Sequence, residues 1–223
     1  MSILDTLVTD RTQADRIYLE NLLNKGWEGM TEDERRYFMG RGEVPLEDLE
    51  GFSLYSSDGF LLLAIATTTV VKGAYNTDDI NRVDNAVTYL AETALALLKM
   101  ISAYRIGKGV AADAVFLLPY TESDVVVSAL GTPWPVSFIP TEEYLSNYLQ
   151  NVKTIRGLVP VGSNAPGLPE TMEDLTVAGA NAIEASLLAG HNAMKKEEDR
   201  IKGMIDKTAA AWSYSGEIFS GEV

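Results

Sequence analysis

Cysteine is absent from this chain and histidine occurs once, at position 191. The first absence excludes disulfides, thiolate zinc sites, cysteine-ligated iron–sulfur clusters and cysteine nucleophiles together. The second leaves a Ser–His–acid triad only His191 as its base, inside an alanine-rich stretch where a surface or seam position is the simpler account. Metal binding is reduced to carboxylate sites for hard cations. The paired acids Asp78, Asp79 and Glu142, Glu143 stand where helices are expected to start, so compensation of the helix dipole explains them without a metal. Cations are also scarce: 18 Lys and Arg face 32 Asp and Glu, a net charge of −14 that repels nucleic-acid phosphates and anionic lipid. Long apolar runs are missing as well. The longest, residues 60–71, is 12 residues with three consecutive threonines, short of the roughly 20 needed to span a bilayer. No GxGxxG or Walker-type loop precedes an expected helix, and Asp5 and Asp10 replace the basic start of an export signal. A glycosidase needs only two carboxylates a few ångströms apart, which this composition neither supports nor excludes. The expectation is a non-enzymatic protein with no catalytic, cofactor-binding or metal residues, and no nucleic-acid or membrane partner.

What is present is an ordinary globular composition, 46% hydrophobic and 22% charged, so the chain should fold. Helix-entry signals recur: Thr31 with Glu34 fits a capping box, Thr171 with Asp174 resembles one, and Thr141 precedes two glutamates. The first helix is predicted over about 12–25, with Ala14, Ile17, Tyr18 and Leu22 on one face and Gly26 as its stop. Between 40 and 71 the pattern turns strand-like, and Asp58 and Gly59 form a type I′ hairpin signal. Residues 114–139 read as short strands and loops broken by prolines, with Trp134 among them.

Three stretches carry apolar residues alternately three and four apart. Ile80, Val83, Val87, Leu90, Ala94, Leu97, Ile101 and Tyr104 form the first, and Leu145, Tyr148, Val152, Ile155 and Val159 the second. The third holds Ile183, Leu187, Met194, Ile201, Met204, Thr208 and Ala211, interrupted by Gly190 and Glu197, and predicts a bent or broken helix over about 172–212. A strict seven-residue repeat suits a nearly parallel partner helix. Either a second copy supplies it, making Ile80, Val83, Val87, Leu90, Leu97, Ile101, Ile183, Leu187, Met194 and Ile201 an oligomer seam with a trimer favoured, or an intramolecular helical hairpin does. The last ten residues repeat aromatic–Ser–Gly–Glu–aliphatic. They predict an extended segment docking Tyr214, Ile218, Phe219 and Val223 on a partner, a frayed end being the alternative.

The stretches SILDTLVTDRTQAD, KGWEGMTEDE, KGAYNTDDINRVDNAVTYLAE and WSYSGEIFSGEV resemble small virion-associated proteins of tailed phages and prophages of Gram-positive bacteria, encoded near baseplate and tail-fibre genes. The resemblance covers about half the chain and departs from it at 41–71 and 114–134. It implies a place in a particle rather than a chemistry: a phage tail or baseplate subunit, located in the virion after assembly in the host cytoplasm, with other tail proteins as partners. The alternative function is a host-surface module gripping a cell-wall glycan with the loops around Trp134 and the hairpin at Asp58 and Gly59. The fold class expected is mainly α, with bundle or coiled-coil-like seams and small β-hairpins, α+β being the alternative. Three regions are expected: helical 1–45, β-hairpins flanking a central helix over 46–140, and C-terminal helices with a tail over 141–223.

Overall fold

A computed structural model of the chain describes residues 3–39, 54–55, 61–63, 72–108, 117–128, 141–160, 167–173 and 175–219, with 208–219 described by backbone alone. These residues are mainly helical, in keeping with the expected class. Helix α1, Gln13–Lys25, starts in a capping box in which Thr12 Oγ1 accepts from the Asp15 N–H at 3.2 Å and the Asp15 carboxylate accepts from the Thr12 N–H at 2.7 Å. It stops at Gly26, whose φ of 69° lies where glycine carries no steric penalty. Its buried face is the expected one only at Leu22. Leu19 and Leu22 are covered, while Ile17 and Tyr18 are 49% and 42% exposed. The reason is the chain at Gly73, which passes so near α1 that a Cβ there would lie 2.4 Å from Asp15 O and 2.7 Å from Leu19 Cβ. Helix α2, Glu32–Met39, has the expected box between Thr31 and Glu34, and Tyr37 meets Tyr18 edge-on at 5.0 Å.

Strands β1, Leu54–Tyr55, and β2, Leu61–Leu63, pair antiparallel with Leu54 opposite Leu63. Strand β3, Ala74–Tyr75, pairs parallel to β2 with Leu61 opposite Ala74. The turn signal at Asp58 and Gly59 lies outside the described residues, as does Trp134. Within 117–128 a 3-10 turn, Glu122–Asp124, and an extended segment stand where short strands were expected.

The body is a bundle of α3, Thr77–Lys108, α4, Glu142–Gly157, and α5, Val177–Phe219. Thr141 caps α4 as expected, accepting from the Tyr144 N–H at 3.2 Å. Helix α5 begins later than expected, because Thr176 rather than Thr171 supplies the cap by accepting from Gly179 N–H at 3.0 Å. It then continues as one helix past Gly190 to Phe219, so the break that was the alternative to a bend is not there, nor is the extended backbone expected over 214–219. Gly190 is a contact point instead: a Cβ there would sit 3.8 Å from Ile155 Cγ2 of α4. The alanines at 209–211 favour helix and carry it into the tail. Tyr214, Ile218 and Phe219 therefore lie on a helical backbone, and Val223 lies outside the described residues.

Helices α3 and α5 run in the same direction. Arg82 meets Glu184, and seven residues along both helices Tyr89 meets His191, with the separation of 102 residues preserved. Helix α4 follows suit, since Tyr148 bonds Tyr75 beside the start of α3 and Ile155 lies against Gly190 further along α5. A helical hairpin would have been antiparallel. Here long connectors carry the chain back before each helix, so parallel neighbours form within one chain. All ten residues expected as an oligomer seam, Ile80, Val83, Val87, Leu90, Leu97, Ile101, Ile183, Leu187, Met194 and Ile201, are at most 6% exposed in this single chain. The chain's own helices cover them, so these side chains leave no seam open to a second copy. Residues 78–105 of α3 are long and apolar enough to cross a membrane, and in this fold their apolar stripe is the bundle core.

Candidate functional site

The densest chemistry in the described residues is a sealed ionic cluster at the start of the bundle. Asn76 caps α3: its Oδ1 accepts from the Asp79 N–H at 3.1 Å, and Asp79 Oδ2 accepts from the Asn76 N–H at 2.8 Å. This box turns the other oxygen of Asp79 inward, where Arg11 Nη2 donates to it at 2.5 Å and Arg82 Nη2 donates to it as well. Arg82 follows Asp79 by three residues, so both fall on one face of the first turns. Its remaining nitrogens reach Glu184 Oε2 at 3.1 Å and Asp78 at 3.2 Å. Glu184 also accepts from the Val8 N–H at 2.5 Å and from Arg11 at 3.3 Å.

Arg11 fastens the N-terminal arm through both its backbone and the Nη1 and Nη2 ends of its guanidinium. Its Nη1 donates to Ala74 O at 2.8 Å and Lys72 O at 3.3 Å, and its guanidinium lies 5.4 Å from the Tyr75 ring centroid. Its backbone N–H and C=O pair with the Asn181 side chain at 3.0 and 2.9 Å. Asn151 repeats the device on α4, pairing both backbone groups of Ser128 at 2.8 and 2.9 Å. Two helix asparagines thus act as one-residue strand partners for extended segments, satisfying amide groups that burial would otherwise leave unpaired.

Burial opposes charge on both arginines, but Asp79 and Glu184 outweigh it and hold the Arg11 and Arg82 guanidiniums above the usual arginine value. Burial pushes Glu184 above the usual carboxylate range against the pull of Arg82, and raises Asp78 in the same way. Alongside, Tyr75 and Tyr148 share a 2.6 Å hydroxyl–hydroxyl bond, and burial drives both phenols well above their usual value. Asp79 and Glu184 are 0% exposed and Arg11 is 3% exposed. No substrate reaches them in this arrangement; the groups fasten the arm, β3, α3 and α5 to one another.

The residues weighed for triad or metal chemistry stand apart from one another. His191 is half-buried against Tyr89 at 6.3 Å between ring centroids, and its Nδ1 makes no hydrogen bond among the described residues. Asp78 and Asp79 belong to the arginine cluster rather than to a cation site. Among the described residues no group of three or more His, Asp or Glu is placed to hold a metal ion. A cleft of about 380 Å³ between α4 and residues 170–173 mixes Glu142, Lys153, Glu170 and Glu173 around Leu149 and Met172. The cluster residues Arg11, Arg82, Glu184, Tyr75 and Tyr148 and the clamps Asn151 and Asn181 were not expected from the sequence. One signal pointed to them: Glu184 is the sole Asp, Glu, Lys or Arg between Val177 and Lys195, a lone charge in an apolar run that needs a buried partner. No protein family, no curated protein and no solved structure matches the chain.

Proposed function

We propose that this chain is a non-enzymatic structural subunit of a phage tail tip, baseplate or fibre attachment, acting by self-association and docking on neighbouring virion proteins. It is located in the particle and assembled in the host cytoplasm. The observation that carries the proposal is the unequal length of the bundle helices. With the 102-residue offset, Lys108 at the end of α3 is level with Ala210. Helix α5 then runs about nine residues further to Phe219, roughly 14 Å at 1.5 Å per residue. Among the described residues α5 extends past the end of α3, and a helix of that reach suits a connector better than a catalyst. The likeness of four sequence stretches to virion-associated proteins gives the connector its setting. The favoured trimer rested on the apolar seams, which are internal, so self-association is assigned to other surfaces. The hairpin expected about Asp58 and Gly59 belongs to the same proposal as a surface element.

Deleting residues 214–223 tests it. Incorporation into phage particles, scored by mass spectrometry of purified virions, should fall at least tenfold while circular dichroism and the urea midpoint stay near those of the full chain. Absence of the full-length chain from purified virions would sink the proposal. So would normal incorporation of the shortened one.

A further inference from the structure

A second groove, of about 440 Å³, lies between the second half of α3 and residues 117–122. Its floor is apolar, with Ile101 and Tyr120 buried, and Leu117 stands at its mouth 59% exposed. Two cations edge it. Lys99 is exposed, and Arg105 keeps a buried Nε without a hydrogen-bond partner among the described residues. Glu122 is the one acid on the lining. In a chain with 18 cations against 32 acids, two cations without an ion pair among the described residues, beside an apolar floor, are complementary to an acidic segment that also carries apolar side chains.

The projecting end of α5 has that composition. Tyr214, Glu217 and Ile218 are spaced so that they share one helical face. The chain's own tail is on the wrong side to reach the groove. Arg105 is level with Lys207, so Tyr214 lies seven residues beyond it and Phe219 twelve, roughly 10 and 18 Å past the cationic end on a helix that does not turn back. We infer that the groove takes the α5 end, Tyr214 to Phe219, of a second copy of this chain, with Glu217 against Lys99 and Arg105 and the apolar residues against Leu95, Leu98 and Leu117. The contact joins one patch to a different one, so it is head to tail and builds rings or filaments rather than two-fold dimers. It rests on the structural-subunit proposal for its purpose and stands on its own as a contact.

Sedimentation equilibrium of the full chain should show concentration-dependent association that weakens as salt is raised. Lys99→Glu with Arg105→Glu should weaken it at least tenfold, as should Glu217→Lys. Mixing the two variants should restore association between unlike chains, because the charges are exchanged and not removed. Circular dichroism of each variant checks the fold, and if the double variant misfolds, Lys99→Glu paired with Glu217→Lys carries the test alone. A wild-type chain that stays monomeric at every concentration would overturn the inference. So would charge-reversed chains that associate as tightly as wild type. Particle incorporation is scored separately, so loss of the virion role and loss of this contact remain distinguishable.

Discussion

At the scale of single residues, the deciding fact is that Arg11 and Arg82 are matched one for one by Asp79 and Glu184 behind a protein surface. Withdrawing the two guanidiniums and two carboxylates from water is expensive, and their mutual attraction repays it only while all four are present. Arg11→Met keeps the length of the side chain and removes the charge, leaving two buried carboxylates to share Arg82. The expected loss is about 3–5 kcal/mol of unfolding free energy, read from urea denaturation of the variant against the parent. A loss below about 1 kcal/mol would mean that the cluster is wetter, and less essential to the arm, than its burial states. Neutralising all four positions together with apolar residues should cost far less than the single change, because no orphan charge remains.

The elements differ in how plainly the sequence announces them. The caps at Thr31 and Thr141 and the stop at Gly26 are local chemistry, complete within four residues, and they were legible. The heptad seams were legible as buried stripes but not as to what buries them, because a repeat of seven specifies a parallel neighbour without saying whose. The inward face of α1 was misread by one residue, since a backbone from 50 residues away at Gly73 selects it. Gly190 looked like a weak point and is a place of close approach. These two glycines give opposite expectations. Gly190→Ala adds a methyl at ordinary contact distance from Ile155 and removes a helix penalty, so it should stabilise by up to about 1 kcal/mol. Gly73→Ala forces its Cβ into the backbone of α1 and should destabilise by about 1–3 kcal/mol. Thermal melts of the two variants check both signs, and a destabilised Gly190→Ala would restore the bend. The ionic cluster was hidden for another reason: it joins three regions of the chain, at Arg11, at Asp79 with Arg82, and at Glu184, that lie 68 to 173 residues apart, with only the lone charge of Glu184 as a clue.

For the molecule as a whole, the buried phenols set an upper limit on the pH at which it stays folded. Burial raises Tyr120 to about 12 and drives Tyr75 and Tyr148 well above the ordinary value of 10.0. Below pH 10 both folded and unfolded chains keep these protons, and the three groups contribute no slope. Above it the unfolded chain releases protons that the folded chain retains, so stability falls as pH rises, by up to about 1.4 kcal/mol per pH unit for each such tyrosine. Urea midpoints should be level from pH 8 to about 9.5 and then drop steeply, with tyrosinate absorbance from the buried phenols rising only as the fold is lost. Free titration of all ten tyrosines in the folded protein would contradict the burial.

The arm that ends at Arg11 leaves the ribosome well before the acid that completes its anchorage, which follows 173 residues later. During synthesis Arg11 can meet Asp79 early, but Val8 has no acceptor until Glu184 has emerged. The nascent protein therefore cannot close prematurely around its leading end. A chain that ended between the two sites would lack Glu184, and with it the acceptor that Val8 N–H and Arg11 share in the folded protein.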